Sequence, residues 1–330
     1  MDNYTNVIEL DNVVKDYGDF KLDNVSFAVP KGSVCGFIGQ NGAGKTTTIR
    51  IMLDVIRADS GKIKLFGEDI KGNAPRLRED IGVVYDEMGF HEFMTGKDIN
   101  IMMKHIYKNW DEKVFFDYLK RFSLPSKKKC GDFSRGMRMK LQIAVALSHN
   151  AKLLVMDEPT AGLDPIVRNE ILDIFREFVL EEDHSIFISS HITGDLEKIA
   201  DEVVFIDGGK VFLQGNKDEI LEKHGILKCR KDEIGSISKS LIVGVHEGTF
   251  GVEVLINDMK AAAKLYPELV IDRTSLEEKL AMVEAELDGL RVEITMANHT
   301  NEYLDEQNNL LREENSKLKK KLEMIQRLLV

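Results

Sequence analysis

Ser33-Val34-Cys35-Gly36-Phe37-Ile38-Gly39-Gln40-Asn41-Gly42-Ala43-Gly44-Lys45-Thr46-Thr47 is the stretch on which the fold turns. Residues 33–38 are apolar and of strand length, and residues 45–56 carry a helical pattern. Between them, Gly39 to Thr46 satisfies G-x-x-x-x-G-K-[ST]. Glycines let such a loop wrap until successive backbone N–H groups converge on phosphate oxygens. The helix behind it adds the partial positive charge of its N-terminus. Lys45 is then placed to reach β- and γ-phosphates, and the Thr46 hydroxyl to ligate Mg²⁺. Strand, loop and helix stand in the order this chemistry requires.

A second element lies far downstream, where Leu153-Leu154-Val155-Met156-Asp157-Glu158 reads as a buried strand ending in two acids. Alone, such a pair is as readily a surface feature. Next to a phosphate loop, Asp157 can hold the Mg²⁺ shell and Glu158 can polarise an attacking water as general base.

The surrounding chain supports an α/β domain. Runs at 33–38, 153–156, 185–189 and 203–206 are apolar and rich in β-branched or aromatic residues, and helical segments alternate with them. That alternation predicts a largely parallel, doubly covered sheet. Between 86 and 150 strands give way to helical patterns at 99–107, 112–122 and 135–148, an inserted helical lobe. A short helix over 216–224, capped by Asn216 and closed by Gly225, ends this domain at about residue 225. Residues 226–275 read as a small β/α domain, with apolar runs at 242–245, 252–256 and 269–271 and a helix at 260–266. From 276 to 330 apolar residues recur in heptads: Leu276, Leu280, Val283, Leu287, Leu290 and Ile294, then Leu304, Leu311, Leu318, Leu322, Ile325 and Leu329. Asn301, Asn308 and Asn315 fall at a positions, which predicts a parallel two-stranded coiled coil. A turn at 297–303 folding the tail into an antiparallel hairpin is the alternative.

Composition narrows the function. The 330 residues are 43% hydrophobic and 31% charged, with a net charge of −11. No run approaches the roughly 18 apolar residues of a membrane helix. An acidic chain is not expected to bind nucleic acid, and Asp272-Arg273-Thr274-Ser275 before the heptads offers no basic region. The first residues lack the apolar core of a secretory signal, and Cys35, Cys130 and Cys229 form no CxxC pair. The expectation is reduced thiols in the cytoplasm.

Taken together the motifs resemble the ATP-binding cassette (ABC) family. Phe133-Ser134-Arg135-Gly136-Met137 before an apolar helix is similar to its LSGGQ signature. Asp157-Glu158-Pro159-Thr160-Ala161-Gly162-Leu163-Asp164-Pro165 looks like its Walker B and D-loop run. Ser189-Ser190-His191 matches its switch histidine, and Tyr17 in Lys15-Asp16-Tyr17-Gly18 its adenine-stacking aromatic. Order and spacing agree from Val7 to about Gly215. The resemblance implies a P-loop NTPase fold: a RecA-like core sheet, an ABC β-subdomain and the inserted helical lobe. It implies an ATPase that powers a separate transmembrane permease, of bacterial exporter type, held at the inner face of the membrane through that permease. Two cassettes would sandwich ATP head to tail. The implied nucleotide contacts are Tyr17, Gly39, Asn41, Gly42, Gly44, Lys45, Thr46 and Thr47, with Ser134, Gly136 and Asp164 acting across the dimer. Glu158 and His191 would be catalytic, and Thr46, Asp157 and Asp86 would ligate Mg²⁺.

Two departures stand out: Asp86 replaces the family's Mg²⁺-ligating Gln, and in the signature Arg135 replaces a Gly and Met137 a Gln. The heptads begin where the family's domain normally ends, so they read as an added dimerisation module. A soluble ABC ATPase with a coiled-coil arm, acting on a macromolecular complex, is the other function class. The relatives of that kind carry tandem or split cassettes, whereas these motifs form one continuous set.

Overall fold

The structure, a computed structural model, describes residues 4–87, 89–248, 251–273, 275, 276, 278 and 281. The heptads from 282 onward therefore lie outside the described residues, as do Leu280 and most of the first heptad. Two units are present, one running to His224 and taking in Leu276, the other Gly225–Asp272.

The first unit opens with a hairpin of β1 (Asn6–Asp16) and β2 (Lys21–Pro30). Then come β3 (Val34–Ile38), the phosphate loop and α1 (Lys45–Met52). β4 (Ser60–Leu65), β5 (Glu68–Asp69), α2 (Ala74–Leu77) and β6 (Ile81–Val84) lead to the lobe helices α3 (Gly96–Ile106), α4 (Glu112–Arg121) and α5 (Arg135–Ala146). β7 (Leu153–Asp157), α6 (Pro165–Phe178), β8 (Ser185–Ser190), α7 (Thr193–Ile199), β9 (Glu202–Asp207), β10 (Lys210–Asn216) and α8 (Lys217–Lys223) complete it.

Six strands form the core sheet in the order β10-β9-β3-β8-β7-β6. The pairs within β9-β3-β8-β7-β6 are parallel, and β10 is antiparallel at the edge. β3 and β7 are buried at every position because both faces of the sheet are covered. A second sheet, β2-β1-β4-β5, is antiparallel. The two meet where Phe27 of β2 packs on Phe37 of β3 and Phe187 of β8, with ring centroids 5.3–5.7 Å apart.

The expected helices of the lobe are present within a few residues of their predicted bounds. α3 starts at a capping box between Thr95 and Asp98, and Asp111 and Ser134 cap α4 and α5. The helix after the loop stops at Met52, short of the expected 56, because Leu53 leaves the helical region and Asp54 turns to φ 54°. Asn216 caps α8 as expected, accepting from the N–H groups of Asp218 and Glu219. Gly225 does not close it: His224 ends the helix in an extended conformation and Gly225 opens the next strand.

In the second unit β11 (Gly225–Cys229), β12 (Ile242–Gly248), β13 (Gly251–Ile256), α9 (Met259–Leu265) and β14 (Val270–Arg273) make a sheet of order β12-β13-β11-β14. Leu227, Val252, Val254, Ile256 and Ala262 form its own core. No helix among the described residues is long and apolar enough to cross a membrane.

Candidate functional site

Adjacent parallel strands deliver the site. β3, β8 and β7 are neighbours, with Phe37 paired to Ser189 and Ser189 to Asp157. Their carboxyl ends therefore place the loop from Gly39, Asp157-Glu158 and Ser190-His191 side by side, where ligands bind in open parallel sheets.

Close packing at Gly39 and Gly44 and a left-handed backbone at Gly42 and Gly44 explain the loop's glycines. A Cβ on Gly39 would stand 2.3 Å from the Ile206 carbonyl oxygen. Gly42 and Gly44 adopt φ 87° and 111°, and a Cβ on Gly44 would lie 2.6 Å from Leu22. Behind them Lys45 is buried, donating to the carbonyl of Gly39 at 2.6 Å and that of Gln40 at 3.1 Å. Its Nζ also stands 3.1 Å from Glu158 Oε1, a buried oxygen that accepts no hydrogen bond.

Asp157 is held from both sides, its Oδ2 accepting from Thr46 Oγ1 at 2.7 Å and its Oδ1 from Ser189 Oγ at 2.5 Å. Glu158 sits in the left-handed region at φ 52°. Its N–H donates to Ser189 O at 3.1 Å and lies 3.2 Å from Ser189 Oγ, which pins that turn. Glu158 Oε2 lies 2.7 Å from His191 Nδ1. Lys45, Thr46, Asp157, Glu158 and His191 thus form one contact chain, linked through Ser189. Ser189, quoted in the sequence but given no role there, is its central hydroxyl. The signal was its place at the end of a strand destined to lie beside Asp157.

The other expected residues stand apart from that chain. Tyr17 is 48% exposed, with Lys15 Nζ 5.6 Å from its ring centroid. Ser134 accepts from Met137 N, and Asp164 caps α6 by accepting from Ile166 and Val167 N–H groups. Gly136 faces Val167, 3.4 Å from where a Cβ would be. Asp86 lines a cavity of about 530 Å³ with Thr46, Arg50 and Asp157, but its carboxylate is taken by Arg135. Two part-buried bonds join Gln142 of α5 to the Tyr85 backbone, at 3.3 and 3.0 Å, tying the lobe to the same segment.

Fold and site together define a P-loop nucleoside triphosphatase. Residues 22–161 match the sequence model of the ABC transporter family. The bacitracin transport ATP-binding protein BcrA of Bacillus licheniformis is 37% identical over 208 residues, covering 62% of this chain and 68% of that protein. The daunorubicin/doxorubicin resistance ATP-binding protein DrrA of Streptomyces peucetius is 29% identical over 309 residues, covering 88% of this chain and 93% of its own. Among solved structures, cbiO1 from Clostridium perfringens, part of the ABC transporter complex cbiONQ, superposes with a TM-score of 0.57 at 26% identity, over 66% of this chain and 91% of that one. An ATP-binding cassette in its ADP conformation gives 0.57 at 27%, over 66% and 93%. This chain belongs to the ABC transporter ATP-binding family and is an ATP-binding, ATP-hydrolysing subunit.

Proposed function

We propose that the chain is the engine of an exporter whose membrane-spanning part is a separate permease, and that two copies close head to tail over ATP. The observation that carries this is the convergence of Thr46 on Asp157 at 2.7 Å, Lys45 on Glu158 at 3.1 Å and Glu158 on His191 at 2.7 Å. The bacitracin and daunorubicin relatives support export as the direction.

In this reading the triphosphate draws Lys45 away from Glu158 and from the carbonyls of Gly39 and Gln40. The loop's N–H groups, including those of Gly42, Gly44, Thr46 and Thr47, take up phosphate oxygens, with Asn41 at the loop's outer turn. Glu158, freed of the lysine, faces the attacking water and accepts its proton. The water oxygen bonds to the γ-phosphorus as the bond to the β–γ bridging oxygen breaks, leaving ADP and phosphate. His191 steadies the other Glu158 oxygen and reaches the γ-phosphate. Thr46 and Asp157 present two hard oxygen donors at one point, a donor set that fits Mg²⁺, with Asp86 as a third oxygen donor on the same cavity. Bound there, Mg²⁺ would neutralise charge on the β- and γ-phosphates. Half-exposed Tyr17 is free to stack on adenine. Ser134, Gly136 and Asp164 would complete the site of the opposing copy.

The test is purification of the untagged chain from its own cells in mild detergent. A multispanning membrane protein recovered with it, and ATP hydrolysis by the complex, is the expected result. Recovery with ribosomes or chromosomal complexes instead overturns the exporter reading and favours the soluble ATPase class.

A further inference from the structure

Two of the positions at which the motifs differ from the ABC pattern, Asp86 and Arg135, touch each other. Arg135, at the first position of α5, forms a hydrogen-bonded ion pair with Asp86, just beyond β6. They are 49 residues apart, and their side chains are 51% and 48% exposed. A third residue makes room for the pair. Gly162 lies at φ 68°, and a Cβ there would come within 3.2 Å of Arg135 Nη1 and 3.3 Å of Cζ. The guanidinium therefore rests on the bare backbone of the turn between β7 and α6 while its nitrogen reaches Asp86.

The location gives the pair a consequence for phosphate binding. Asp86 lines the cavity that opens on Thr46 and Asp157, with Glu87 beside it and Arg50 as the cation among the lining residues. A triphosphate carried on the Lys45 loop would meet that wall. A bare carboxylate at 86 would repel it, and a bare guanidinium at 135 would attract it. Paired, the two leave the wall electrically as a neutral side chain would. An exposed ion pair contributes little to folding, so stability is a poor reason for both departures. The electrostatics of the cavity is a better one.

We infer that Arg135 is the counter-ion of Asp86, a positioning residue that cancels an acid at the mouth of the nucleotide site, so that the pair and neither residue alone sets nucleotide affinity. This rests on the reading of Lys45, Thr46 and Asp157 as the triphosphate site.

A double-substitution cycle tests it on the full chain, with Asp86→Asn, Arg135→Gln and both together. The readout is equilibrium binding of a fluorescent ATP analogue in EDTA, where no metal masks the phosphate charge. Both side chains are half-exposed, and melting curves verify that all four proteins fold. Arg135→Gln should weaken binding roughly three- to tenfold, the size expected of one exposed charge acting on a polyanion through a water-like dielectric. Asp86→Asn should strengthen it by a similar factor, and the double variant should return to within about twofold of the parent. In Mg²⁺ the spread among the four should shrink. Shifts of the two single variants in the same direction would overturn the inference, as would no effect of either substitution or a double variant that departs from the parent by more than about twofold. A parent chain that binds no nucleotide would instead remove the underlying site reading, and the pair's role with it.

Discussion

Glu158 shows how much chemistry one backbone conformation can carry. Its left-handed φ of 52° turns the side chain back from the end of β7 between Lys45 and His191. If it is the general base, Glu158→Gln keeps the shape and removes the base. Turnover should then fall by about two to four orders of magnitude with nucleotide affinity near the parent's. Steady-state hydrolysis at the parental rate would dismiss the assignment. A second residue of interest is His149, which is buried and stacked on Tyr107 with ring centroids 3.8 Å apart. Its Nδ1 lies 3.2 Å from the Glu79 carbonyl, and its Nε2 is buried without a partner. Burial holds this imidazole below its ordinary value of 6.5. The folded state thus binds fewer protons here than the unfolded state. The contribution to stability is full above pH 6.5 and is lost as pH falls through and below it. Melting midpoints should drop between pH 7.5 and 5.5, by roughly 2–4 °C for each kcal/mol lost. His149→Gln should flatten that drop relative to the parent; an unchanged pH profile would show that other groups are responsible.

At the scale of elements, the parallel core was legible because its strands are mostly apolar and each expected catalytic motif sits at a strand end. The antiparallel sheet was less so. β1 buries Val7 and Ile8 in succession across a register shift and then exposes Asp11 and Asn12, so no clean alternation marks it as a strand. The contact between Asp86 and Arg135 could not be read either, since nothing in a linear sequence states that α5 starts beside the end of β6. Residue types within the site were legible through the motifs, whereas Ser189 gained its role only from strand register. Two substitutions separate these levels. Gly39→Ala places a Cβ 2.3 Å from the Ile206 oxygen, a clash with backbone that cannot swing aside. It should cost about 3 kcal/mol or more, at the upper end of overpacking penalties, and abolish nucleotide binding. Ser189→Ala removes the donor to Asp157 and leaves the fold's packing intact. It should cost about 1–3 kcal/mol by thermal or denaturant unfolding while lowering turnover. A Gly39→Ala protein as stable as the parent would mean that the strand–loop junction relaxes.

At the scale of the whole molecule, the described residues divide after His224 into two units, each with a hydrophobic core. The DrrA match covers 88% of the chain, so it cannot stop at His224 and must take in the second unit. That unit is thus shared in sequence with a drug-resistance ATP-binding protein. The proposed function requires that two copies meet. A head-to-tail sandwich needs a second cassette at high local concentration. The heptads of 276–330, read from sequence alone, would supply it by tethering the chains, which turns a bimolecular closure into an intramolecular one. Their a-position residues Asn301, Asn308 and Asn315 suit a parallel pair in a single register. The intact chain should therefore have twice its monomer mass of 37.4 kDa at micromolar concentration without nucleotide. Removal of 276–330 should yield a monomer that pairs only when ATP is added, and most durably in the Glu158→Gln background, where ATP persists. Light scattering on the four combinations decides it. An intact chain that remains monomeric without ATP would sink the tether and leave the antiparallel hairpin as the reading of those heptads.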